Sequence, residues 1–191
     1  MSKLPLYIDT ASKTVVSPNS PTTLAGYGIT DGSSIKNGFI DYNNSGSAIS
    51  ILADTWTDLP NDGAGSFTNK VYKPGGINEL MDESTGYIDP TELKLGDTII
   101  IRNDYTVNPN TNNALLEFRY SLGNGGGEYT LERVEARLDN GSGIGYRFSL
   151  KSDLIYMGDT NTKDNPIKIQ IKLSSNGTLA NAGSVIQTIL Q

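Results

Sequence analysis

Asp159, Asn161 and Asp164, within the stretch GDTNTKDN (158–165), place hard oxygen atoms on a single loop, the donor type that Ca²⁺ takes. Their spacing departs from the D-x-[DN]-x-[DN]-G calcium loop, and Asx residues also serve simply to close turns. They are therefore weak metal candidates, and the turn reading is preferred, with no metal or other cofactor expected. Paired carboxylates are the next chemistry to weigh, because a glycosidase needs two in one cleft at a set separation. The chain has 21 Asp and Glu residues to draw on. Glu117, Glu132 and Glu135, however, fall on strand-like runs opposite apolar residues, which reads as solvated strand faces. The chain has no Cys and no His. That removes thiolate nucleophiles, Cys/His zinc sites, Ser-His-Asp triads and His general bases together. The Gly-rich run GNGGGE (123–128) lacks the Lys-Ser/Thr of a phosphate-binding loop and leads into a strand, so it reads as a hairpin tip. No enzymatic activity is expected.

Tyrosine is more suggestive than any catalytic pattern. The 10 Tyr outnumber the single Trp and the 4 Phe, and a Tyr side chain offers an apolar face with a polar tip, suited to sugar or protein contacts. Ordinary β-propensity is the plainer account of the same residues. Tyr105, beside NPNTNNA, and Tyr156, beside GDTNTKDN, are candidate surface contacts. Asn110, Asn112, Asn124, Asn140 and Asn161 complete a candidate set of receptor-contact loops.

The 191 residues suit one all-β domain or a domain with an appendage, and at 36% hydrophobic residues the chain can bury a core. Net charge is −6, with Lys and Arg scattered singly among carboxylates. Nucleic-acid binding, which rests on clustered basic charge, is not expected. No apolar run is long enough for a transmembrane helix, so membrane insertion is not expected either. The first residues lack the apolar stretch of a secretory signal. A chain without disulfides is compatible with folding in the cytoplasm.

These side chains must be positioned by strands. Residues 1–47 are polar and broken by clusters such as SPNSPTT and NNSGS. They hold two brief strand candidates, LYI and TVV, and a predicted helical turn with Ser20 as N-cap and Pro21 at its first position, ended by Gly26 and Gly28. From residue 48 to 191 the pattern is strand upon strand. DTIIIRNDYTV reads as a strand buried on both faces. ALLEFRYSL alternates, with Ala114, Leu116, Phe118, Tyr120 and Leu122 on one side. EYTLERVEARL changes phase between Leu131 and Val134, which predicts a β-bulge or strong bend. PIKIQIKL puts Ile167, Ile169, Ile171 and Leu173 on one face. Turn clusters at 123–127, 139–143, 158–166 and 174–178 separate the runs, and GGINELMDEST is the one place for a helical turn. The expected fold is all-β: a jelly-roll-like antiparallel sandwich, with an immunoglobulin-like sandwich as the second choice.

Pro21, Thr22, Thr23, Leu24, Gly26, Tyr27, Gly28, Ile29 and Asp31 closely resemble the Pro-Thr-Thr-Leu-x-Gly-Tyr-Gly-Ile-x-Asp repeat of bacteriophage tail-fibre proteins. This sequence carries one copy and not a tandem array. In architecture, the region from residue 48 resembles the trimeric, tumour-necrosis-factor-like sandwich heads that end such fibres. The resemblance implies a homotrimer in which Pro21, Leu24, Tyr27 and Ile29 pack around a threefold axis, so that three copies bury apolar groups one copy cannot. It further implies a virion protein, assembled in the host cytoplasm, whose residues 1–47 attach to other phage proteins of the tail or capsid. Residues 48–191 would form a head that meets a host-surface glycan through its loops. The alternative it leaves open is a head fibre or capsid decoration protein with a purely structural role.

Overall fold

The computed structural model describes residues 36–140 and 143–191 throughout, and the backbone of residues 7–9, 14–17 and 20–23. The chain divides into two units, Met1–Ile35 and Lys36–Gln191. In the first, β1 (Tyr7–Asp9), β2 (Thr14–Ser17) and β3 (Ser20–Thr23) form an antiparallel sheet in that order. The two brief strands expected in LYI and TVV are thus present. The helical turn expected at Ser20 and Pro21 is not. Ser20 pairs with Ser17 and Pro21 with Val16. A Pro is tolerated on a terminal strand such as β3, where its missing N–H can point away from the ladder, and Thr22 and Thr23 favour extended backbone. Leu24, Tyr27 and Ile29 lie outside the described residues.

The second unit begins earlier than the 47/48 boundary expected from composition. Its first strand, β4 (Asn37–Asn43), is hydrogen-bonded along the last strand of the chain, with Ile40 opposite Ile186, and Ile40 and Tyr42 are fully buried. The remaining strands are β5 (Ile49–Ile51), β6 (Thr57–Asp58), β7 (Met81–Asp82), β8 (Tyr87–Ile88), β9 (Thr98–Pro109), β10 (Ala114–Leu122), β11 (Tyr129–Leu138), β12 (Tyr146–Phe148), β13 (Ser152–Tyr156), β14 (Lys168–Leu173) and β15 (Gly177–Ile189). The short helix α1 spans Thr160–Lys163. Helical structure therefore sits in the 158–166 turn and not in GGINELMDEST, where β7 and β8 pair as a small hairpin.

The strands make two main sheets. The larger runs β12–β9–β15–β4, with β13 continuing β12 along β9 and β5 beside β15. The smaller runs β11–β10–β14–β6. The chain repeatedly crosses between them, and the first strand of the unit lies beside the last. This is the wiring of a jelly roll, the fold expected from the sequence. Between the sheets, alternate residues meet: Ile99, Ile101, Tyr105 and Val107 of β9, Ala114, Leu116, Phe118, Tyr120 and Leu122 of β10, and Ile169, Ile171 and Leu173 of β14. Each such side chain contributes about 1.5–3 kcal/mol on burial. The three consecutive Ile residues of β9 do not all enter the core, since Ile100 is only half-buried on the outer face.

Two bulges adjust this frame. On β15 the register against β9 shifts between Asn181 and Gly183. Gly183 has φ +146°, and a Cβ there would collide with the Tyr42 carbonyl oxygen. On β11, Leu116 faces Ala136 while Glu117 faces Val134, so Glu135 is the extra residue. That bulge lies just beyond the phase change legible in the sequence. It turns Arg133, Glu135 and Ala136 toward the sandwich interior and leaves Val134 outside.

Candidate functional site

Of the loop residues expected to contact a receptor, Asn110, Asn112, Asn124 and Asn140 are exposed, as is Tyr156. The backbone N–H of Asn110 donates to the Asn176 carbonyl, and the Tyr146 hydroxyl bridges the backbone N–H and C=O of Asn140. Asn161 ties two turns together: its Oδ1 accepts from the Asn124 backbone N–H at 3.1 Å and its Nδ2 donates to the Gly127 carbonyl at 2.8 Å. Asp159 is the N-cap of α1, accepting from the Thr162 backbone N–H at 2.7 Å, and Asp164 pairs with Lys163. These three residues thus serve as turn and cap groups. Tyr105 is a correction to the expected surface set. It is only 4% exposed and is stacked between Phe148 (5.2 Å) and Phe118 (6.2 Å), because its position on β9 is an inward one.

The more concentrated site lies at the open edge of the sandwich, where β11 of one sheet faces β12 and β13 of the other. Arg133 donates from Nε to Glu135 at 2.5 Å and from Nη1 to both oxygens of Asp153 at 2.8 Å, with its guanidinium 4.4 Å above the Phe118 ring. The Tyr120 hydroxyl donates to Asp153 at 3.0 Å and accepts from Asn103 Nδ2 at 3.0 Å. Asn103 Oδ1 in turn accepts from Ser184 at 2.7 Å. This chain spans both sheets. Burial, then Asp153, pushes the Tyr120 hydroxyl well above its ordinary pKa. Burial alone would lower Arg133, but its bonds to Glu135 and Asp153 outweigh that and raise it. Glu135, which strand alternation placed on a solvated face, has a side chain only 6% exposed, also paired with Lys151 at 3.1 Å. The bulge is the reason for that reversal.

Beside this network opens a cleft of about 230 Å³, with Tyr105, Phe118 and Asn103 deep in it and Arg147, Ser149 and Lys151 around its mouth. Leu150, between the rim residues Ser149 and Lys151, holds φ +67° with its side chain exposed. A non-glycine residue in the left-handed region is strained, and such strain clusters at binding sites.

The outer faces of the two sheets differ in character. On the smaller sheet, Lys172 pairs with Glu117 at 2.9 Å, Arg119 bonds Gln170 at 2.7 Å, and Trp56 lies under both Arg119 and Lys172. On the larger sheet, one cross-strand row reads Leu154, Ile100, Gln187, Phe39 and the next Tyr156, Thr98, Ile189, Asn37. Leu154 is 60% exposed, Tyr156 56% and Ile189 41%. A third row, Ser152, Arg102, Val185, Asp41, brings charge, with Arg102 paired to Asp104 at 3.0 Å.

No protein-family model matches the chain, and no curated protein matches it in sequence. Among solved structures, it is similar to that of infectious bursal disease virus Gt strain (TM-score 0.41, 14% identity, covering 98% of this chain and 38% of that one). It is also similar to a vertex protein of PRD1 (TM-score 0.38, 16% identity, covering 83% and 99%) and to Eiger TNF from S. frugiperda (TM-score 0.40, 7% identity, covering 81% and 91%). The chain spans well under half the length of the bursal disease virus protein.

Proposed function

We propose that the protein is a non-enzymatic, homotrimeric virion subunit of a bacteriophage, a fibre or spike protein that attaches to the particle through its N-terminal unit and presents its jelly-roll head to the host surface. The observation that carries the reading is the asymmetry of the two outer sheet faces. One is laced with ion pairs and suits water. The other exposes Leu154, Tyr156, Ile189 and Phe39 in adjoining rows, an apolar area of the kind that marks protein–protein contact. In a closed threefold assembly each copy would bury that face against its neighbours. The tail-fibre-like segment around Pro21, Leu24, Tyr27 and Ile29 supports the same symmetry from the other unit. A host-surface glycan is the ligand class assigned to the head, with many weak sites on one particle adding avidity.

Light scattering on the full chain at micromolar concentration tests the assembly. A mass of three chains is expected, and a stable monomer overturns the reading. Labelling of the protein on the intact particle, with binding of the purified protein to host cells, tests the adhesive role. Retention on capsids without any cell binding would replace it by decoration.

A further inference from the structure

The cleft at the sandwich edge has features that its structural network does not use. Tyr105 is 96% buried by its 4% exposure, lines the cleft, and its hydroxyl has no hydrogen-bond partner among the described residues. A buried hydroxyl left unpaired costs free energy, so this group is suited to an incoming partner. Burial, with Glu135 adding to it, raises its pKa, which keeps it a hydrogen-bond donor at neutral pH. The charges around the cleft do not cancel. Arg133 is held by Glu135 and Asp153, and Lys151 by Glu135, whereas Arg147 at the mouth has no acidic partner among the described residues. The Ser149 hydroxyl adds a donor on the same rim. At about 230 Å³, the cleft falls below the ~300–1,000 Å³ range of sites for drug-sized ligands, which suits a single ring.

We infer that this cleft binds one pyranose ring bearing a carboxylate, an acidic sugar unit of a surface polysaccharide, with Arg147 on the carboxylate and Tyr105 and Ser149 on ring oxygens. This deepens the adhesive reading and rests on it for the source of the sugar. It moves the recognition site from the Asn-bearing hairpin tips to the edge between the two sheets. The strained Leu150 turn and the β11 bulge are then the devices that shape the rim and the floor.

The full-length, isotope-labelled chain titrated with glucuronate, and separately with glucose, tests the site by amide chemical shifts. Glucuronate should shift the amides of Asn103, Ser149, Lys151 and Asp153, and glucose should bind about tenfold more weakly for want of the charge-assisted bond. Tyr105→Phe keeps the ring stack and removes only the hydroxyl; Arg147→Gln changes an exposed side chain. Each should weaken glucuronate by about tenfold while the remaining amide spectrum stays native. Absence of cleft shifts up to the solubility limit of glucuronate, equal binding of glucose, or wild-type affinity in both variants would overturn the site. The outcome is separable from that of the assembly: a trimer without cleft shifts loses the sugar site alone, and a monomer with them keeps it.

Discussion

Arg133 shows how one residue links the two sheets at an edge where no backbone ladder does. It joins Glu135 of its own strand to Asp153 of β13 and covers the Phe118 ring. Replacing Arg133 by Met keeps much of the apolar contact but leaves the Glu135 and Asp153 carboxylates without their strongest donor. Because the site is only partly shielded, the expected cost is about 1–3 kcal/mol, read as a lower urea midpoint with an unchanged slope. Asp41 makes a prediction in pH. Burial raises its carboxyl above the ordinary value of 3.8, Arg102 opposes the rise and Asp104 adds to it. The folded chain therefore holds this proton more tightly than the unfolded chain. Stability contributed by the protonated form is present below the ordinary value and is lost as pH rises through the raised one. Asp41→Asn should raise the melting temperature at neutral pH and leave it nearly unchanged near pH 3; the opposite pattern in thermal melts would mean that Asp41 is held by attraction to Arg102.

At the scale of elements, the departures from regular strand geometry do much of the positioning. Gly183 sits at the β15 bulge with φ +146° and the Tyr42 carbonyl against it. Gly183→Ala should cost about 1–3 kcal/mol, measurable as a shift in denaturation midpoint. Leu150 gives the converse test: its left-handed backbone favours Gly, so Leu150→Gly should be neutral or stabilising by up to about 1 kcal/mol. The strands that were legible in the sequence are those with clean alternation, such as β10 and β14, where each inward residue is apolar and each outward one polar. The phase change in β11 was legible too, as a break in that alternation. Its consequence was not, because a period-two reading places Glu135 outside and only the pairing against Leu116 and Glu117 reveals the extra residue. Tyr105 was misplaced for a related reason: its closeness in sequence to a loop suggested a surface position, whereas its parity with Ile99 and Ile101 puts it inside. The short β-hairpin at β7 and β8 has too few residues to show any period, so a helical turn seemed equally good there.

For the whole molecule, the question is which surface closes the assembly, and charge alone does not decide it, since both sheets carry Lys, Arg and carboxylates on their outer faces. Pairing decides it. The smaller sheet satisfies its charges within its own face, while the larger sheet sets Leu154 and Tyr156 beside Ile100 and Ile189 with few charges to hydrate them. Leu154 is 60% exposed in a single copy, so Leu154→Asp should leave the head's own melting temperature within a few degrees of the native value. In the assembly it would forfeit the apolar burial, about 1.5–3 kcal/mol for a fully covered Leu in each copy, and add a desolvated carboxylate at every interface. Because each 1.4 kcal/mol is a tenfold change in an equilibrium constant, the variant should sediment as a monomer at concentrations where the native chain is a trimer. Leu24→Asp, in the tail-fibre-like segment, should likewise weaken assembly more than it disturbs the head. If the native chain is a trimer and both variants remain so with undiminished thermal stability, neither surface holds the copies together, and the threefold packing must be sought on the exposed strand β11 around Leu131 and Val134.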